Sequence, residues 1–125
     1  MQDEKIKHQI RILDDVQAEL LEEYVKNKKH EIWGDTPVGD IAELGLIAEE
    51  LGEAMHNIRK LGTKDDLAIE CADIIIRAIN FMSRKDILLG EALFKAHQKN
   101  KERSRKGLMI FEPIHDGSLG AFNRG

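Results

Sequence analysis

The sequence predicts an all-α fold, an antiparallel four-helix bundle that associates into an oligomer. Three observations predict it. Apolar residues recur at steps of three and four along most of the chain, the spacing of one helix face, and no stretch alternates with period two as a half-buried strand does. The breaks between periodic segments are short and carry Gly, Pro and capping residues, so consecutive helices double back on one another. At 125 residues the chain makes one domain whose core is small for a monomer, and association between copies is expected on that ground.

The first helix is expected over residues 3–29, where Ile6, Ile10, Leu13, Val16, Leu20 and Tyr24 line one side with charges between them. The segment HEIWGDTPVGD, residues 30–40, holds two glycines and Pro37 and reads as a loop. Asp40 is the expected N-cap of a second helix that runs to about Lys60 on Ile41, Leu44, Ile47, Leu51, Met55 and Ile58. Gly62 suits the left-handed residue that ends it. Thr63 followed by Asp66 resembles a capping box and opens the third helix. Residues 83–86 make a short break before a fourth helix, whose apolar side is Ile87, Leu88, Ala92, Leu93 and Ala96, to about Arg103. The helical domain is thus assigned to residues 1–106, and residues 107–125 to an irregular tail in which Phe111 and Phe122 are expected to dock.

Composition excludes some functions. With 19 Lys and Arg against 23 Asp and Glu, the formal charge is −4, and the chain as a whole offers no footprint for duplex nucleic acid. The single cysteine, Cys71, cannot form an intrachain disulfide, fits a reducing compartment, and in its apolar surroundings is expected to be a small core residue. The charged start MQDEKIKHQIR lacks the apolar region of a signal peptide, and no apolar run approaches the roughly 20 residues that span a bilayer. A soluble cytoplasmic protein without membrane contact is expected.

The chemistry concentrates in two polar stripes. In LAIECADIIIRAIN, Glu70, Asp73, Arg77 and Asn80 step three, four and three through an apolar segment, which keeps them on one narrow helix face. The second helix repeats the pattern with Glu50, Glu53, Asn57 and Lys60. If both stripes face inward, Glu50, Glu53, Glu70 and Asp73 converge, and carboxylates that close repel one another until a cation joins them. Oxygen-only donors favour Mg²⁺ or Mn²⁺ over zinc. The residues alone leave a second account open: the acids of the second helix form a solvated face, and Arg77 pairs with Asp73 one turn away.

Beyond the spacing, Glu49-Glu50-Leu51-Gly52-Glu53 and then Glu70-Cys71-Ala72-Asp73 resemble the EExxE and ExxD signature of the MazG-like all-α nucleotide pyrophosphohydrolases. The flanking LGLIAEELGEA and ECADIIIRAINF are similar too, and the likeness covers about residues 40–103. It implies a MazG-like helical bundle, working as a homodimer or homotetramer, that hydrolyses nucleoside triphosphates to the monophosphate and pyrophosphate. It also implies that Glu50, Glu53, Glu70 and Asp73 ligate Mg²⁺, with Mn²⁺ able to substitute. Glu49 would be the outer carboxylate, holding a metal-bound water or removing its proton. Asn100 and Arg103 match the spacing of a phosphate-holding pair; the lysine that often accompanies them is displaced here to Lys95. For the bulk of the basic run 95–106, pairing with the helix dipole is the ordinary role.

Trp33 is expected either to stack on a nucleobase or to staple its loop, and Arg77 and Asn80 either to orient the ligands or to touch phosphate. Two other classes stay in view. Glu53-Ala54-Met55-His56 has the Glu-x-x-His spacing of a di-iron carboxylate bundle, but the third helix carries no second copy, and Glu112 to His115 runs through Pro113. The other is a helical dimer without enzymatic activity whose charged faces bind a partner protein. His8 and His97 read as surface residues.

Overall fold

The computed structural model describes residues 2–107, and there the chain is helical with no strand. Five helices follow in order: α1 Gln2–Lys26, α2 Lys29–Trp33, α3 Pro37–Arg59, α4 Lys64–Arg84 and α5 Leu89–Arg105. None is long and apolar enough to cross a membrane. The chain divides into two compact units, Met1–Ala92 and a second that begins at Leu93, so α5 starts in the first and continues in the second. The expected tail lies outside the described residues from 108 onward.

Helix boundaries follow local chemistry, with three departures from expectation. α1 stops at Lys26 because Lys28 takes a left-handed conformation, φ 56°, and the chain then makes the extra short helix α2 inside the expected loop. α3 begins earlier than Asp40: Thr36 Oγ1 accepts from the Gly39 N–H at 3.1 Å, and Pro37 sits in the first turn, where its missing N–H costs nothing. Pro37 therefore starts a helix where it was expected to interrupt one. At the far end of α3, Leu61, φ 58°, is the left-handed residue in place of Gly62. The Gly62 N–H reaches Asn57 O at 2.9 Å and the Leu61 N–H reaches Ile58 O at 3.1 Å, a Schellman closure. The Thr63–Asp66 capping box opens α4 as expected, with both reciprocal bonds present.

The α3–α4 hairpin is the most extensive packing in the first unit, and α1 lies against α4. Side chains of α1 hold the start of α5. Gln17 Nε2 donates to Ser83 Oγ at 3.0 Å and to Ile87 O at 2.8 Å, while its Oε1 accepts from the Leu89 N–H at 2.7 Å. Asp14 Oδ1 accepts from the Gly90 N–H at 2.8 Å, so two orphan donors of a helix terminus are satisfied from another helix. A Cβ at Gly90 would collide with Ile10 O, which is why the closest approach falls on a glycine.

The core is narrow. Among the described residues, Tyr24, Ala54, Ile79 and Leu89 are the buried hydrophobic ones. Several positions expected to be interior face outward in the single chain: Val16, Ile41, Leu44, Leu51, Met55, Ile58, Ile87, Leu88, Leu93 and Cys71 are exposed. α3 has apolar residues on two sides, and the periodicity of the sequence does not say which side meets α4. The side that does carries Glu43, Glu50, Ala54 and Asn57.

Candidate functional site

Because Glu50 and Glu53 sit on α3 and Glu70, Asp73, Arg77 and Asn80 on α4, the hairpin sets the two stripes against each other. Arg77 Nη2 meets Glu50 Oε1 at 3.1 Å, and the Glu50 side chain is mostly buried. The partner of Arg77 thus lies across the hairpin instead of one turn back at Asp73. Glu53 sits beside Glu50 and Glu70: the negative charge of Glu50 first, then partial desolvation, a hydrogen bond with Glu50 and the charge of Glu70 push its carboxyl above the ordinary range, with Arg77 opposing. Glu70 Oε2 is buried and has no hydrogen-bond partner.

Arg77 pairs with Glu50, and the orphaned oxygen belongs to Glu70, which shares a groove with Glu53 and Lys60. Oxygen donors of this kind fit a hard divalent ion. Among the described residues no three carboxylate, His or Cys side chains are gathered as tightly as an ion needs; Asp73 opens onto the cavity described next, and Glu53 and Glu70 onto a shallow groove with His56, Asn57 and Lys60. The donor set suits the ion in chemistry, but Asp73 and the Glu53–Glu70 pair open onto different hollows, so the convergence of all four carboxylates expected from the sequence is not formed. Glu49 is exposed on α3.

A cavity of about 350 Å³ opens beside the stripe, lined among others by Trp33, Lys29, Asp73, Arg77 and Asn80. That volume is within the range of small-ligand sites. Asn80 Oδ1 is buried without a partner, a polar atom left over for something else. Asn100, Arg103 and Lys95 lie on α5 beyond Ala92, in the second unit, and all three are exposed.

The same two faces carry a second polar group that the sequence reading missed. Arg84 Nε donates to Glu43 Oε1 at 2.7 Å, its Nη2 to Asp40 Oδ1 at 2.6 Å and its Nη1 to Gly34 O at 2.7 Å. Tyr24 Oη donates to Glu43 Oε2 at 2.8 Å, and Lys85 Nζ to Asp40 Oδ2 at 2.9 Å. Burial, then the Glu43 bond, raises the Tyr24 hydroxyl well above its usual range. Bonds from Lys85 and Arg84 lower Asp40. Burial alone would lower Arg84, but bonds to Glu43 and Asp40 carry it above its ordinary value. Spacing could have found this group, since Glu43 precedes Glu50 by seven residues and Arg84 follows Arg77 by seven, each on the face of its stripe.

No protein-family model matches the chain, and no curated protein and no solved structure matches it. The site is therefore read from its own chemistry.

Proposed function

We propose that this chain is a MazG-like nucleoside triphosphate pyrophosphohydrolase: an Mg²⁺-dependent hydrolase, Mn²⁺ substituting, that cleaves (deoxy)nucleoside triphosphates to the monophosphate and pyrophosphate and so serves nucleotide-pool control. It works in the cytoplasm as a homodimer or homotetramer of helical bundles. The observation that carries the reading is the buried, unpartnered Glu70 Oε2 close to Glu53, whose other carboxylate neighbour, Glu50, takes the Arg77 guanidinium. A desolvated carboxylate oxygen without a donor is costly, and a site that accepts the cost has a use for a cation.

Glu50, Glu53, Glu70 and Asp73 would hold the ion. When bound, it offsets triphosphate charge and lowers the pKa of a bound water. Glu49 is the general base that takes the proton of the attacking water. Trp33 presents an aromatic face for the nucleobase at the cavity, and Asn80 Oδ1 an acceptor for an exocyclic amine or ring N–H. Arg77, which pairs with Glu50, would help orient the ligands or touch phosphate, and in the second unit Asn100, Arg103 and Lys95 are the candidate phosphate-binding residues.

The test is a panel of ribo- and deoxynucleoside triphosphates assayed for pyrophosphate release with Mg²⁺ or Mn²⁺. Glu53→Gln and Asp73→Asn should each lower turnover by about 1,000-fold or more, with helical content unchanged. Full activity in either variant refutes the assignment.

The second reading, a helical dimer without enzymatic activity, is favoured by the Glu50–Arg77 pair and by the outward apolar side chains. Thermal melting separates the two. Mn²⁺ at 100 times its dissociation constant should stabilise the enzyme by about 2.7 kcal/mol, and should leave the alternative unmoved.

A further inference from the structure

On the outer side of α3, Ile41, Leu44, Ala48, Leu51, Met55 and Ile58 step three and four in strict alternation, the seam of a coiled coil. All six are exposed, the large ones by 45% to 70%, where the buried hydrophobic residues among those described are Tyr24, Ala54, Ile79 and Leu89. Single exposed apolar residues are ordinary, but a continuous stripe of this length on a helix of 23 residues is a surface for another helix.

We propose that this seam is the contact between two copies of the chain, paired antiparallel through α3. The stripe is complementary to itself in that direction. Running one copy against the other puts Ile41 opposite the second copy's Ile58, Leu44 opposite its Met55, and Ala48 opposite its Leu51. The six layers close about a twofold axis between Ala48 and Leu51, as an isologous interface requires. A shift of one turn would put Leu51 against Leu51 or Ala48 against Ala48 at the centre, crowding or emptying it, and leave others bare at the ends.

Two further observations agree. Gly45 and Gly52 flank the seam on one edge, seven residues apart, and a Cβ at either would meet nothing within 4 Å. Glycine weakens a helix interior, and among the described residues nothing asks for it there. In the antiparallel pair the two fall opposite each other across the axis, where bare Cα atoms let the backbones approach. The helix dipoles oppose in the same arrangement.

The inference stands apart from the catalytic reading, because its tests use no substrate and no metal. Sedimentation of the full chain should give twice the chain mass or a multiple of it. Leu51→Glu, which puts a carboxylate into two layers at once, should weaken self-association by about 100-fold or more while circular dichroism stays helical. In a Cys71→Ser background, Gly45→Cys together with Gly52→Cys should yield a covalent dimer on mild oxidation, and Gly45→Cys alone should not. Within one helix the two are about 10 Å apart, too far for an internal disulfide. A monomer at every concentration, whether the seam stays bare or residues 108–125 of the same chain lie on it, would overturn the proposal. So would an unchanged dimer of Leu51→Glu, or a covalent dimer from the single variant, which would mean a parallel pair.

Discussion

Arg84 with Glu43 and Asp40, and Arg77 with Glu50, Glu53 and Glu70, are two polar groups on the same pair of helices with opposite balances. In the first, two cations face two carboxylates, a carbonyl and a phenol, and the guanidinium makes three bonds. In the second, one half-exposed guanidinium pairs with Glu50, Glu53 lies between Glu50 and Glu70, and a buried oxygen of Glu70 is left without a donor. A closed group fixes geometry: it clamps the C-terminal end of α4 to the beginning of α3 and to the loop at Gly34. An open group of like charges does the reverse, since each acid raises the cost of ionising the next. The contrast separates a clamp whose charges are matched from a group whose acids are not, although both are built from Glu and Arg on the same two helix faces.

The largest effect should come from breaking the closed group. The Arg84 and Glu43 side chains are 8% and 6% exposed, so Arg84→Met leaves a buried carboxylate uncompensated and should cost about 3–5 kcal/mol in chemical denaturation. Arg77→Gln should cost about 1 kcal/mol or less, because its guanidinium is partly in water. Mn²⁺ should recover the loss in Arg77→Gln and should recover nothing in Arg84→Met. Equal costs for the two substitutions would erase the distinction between the groups.

The smallest effect is in pH, and the two groups should respond with opposite sign. Glu53, raised from 4.5, is destabilising when ionised in the fold; that destabilisation is absent below 4.5 and develops as pH rises through its folded value. Asp40, lowered from 3.8, contributes stability that is complete above 3.8 and is lost as pH falls through its folded value. Melting temperature against pH should therefore rise slightly on acidification toward 4.5 and then fall below 3.8. Glu53→Gln should remove the rise, and Asp40→Asn should remove part of the fall.

Much of the helical order was readable because it depends on neighbours in sequence. The Thr63–Asp66 box needs residues three apart, and the stripes Glu50, Glu53 and Glu70, Asp73 are single-helix patterns. The start of α5 was not readable: its donors are satisfied by Gln17 and Asp14, more than 70 residues earlier. Cys71 and the Leu51 stripe were misassigned to the interior for a related reason. Hydrophobic period gives the side of a helix but not the side its neighbour takes, and α3 turns its acids toward α4.

From its residues alone, this chain determined that it would be helical, where α4 would be capped, and that acids would share one face on each of two consecutive helices. Those are matters of rotation per residue and bonds across three or four positions. Only the folded arrangement decided that Arg77 answers Glu50, that Glu70 keeps an oxygen without a donor, and that Arg84 gathers Glu43, Asp40 and Gly34. Which charge ends beside which depends on the packing of whole helices, and that packing is settled by the sum of many small contacts, none of them local in sequence.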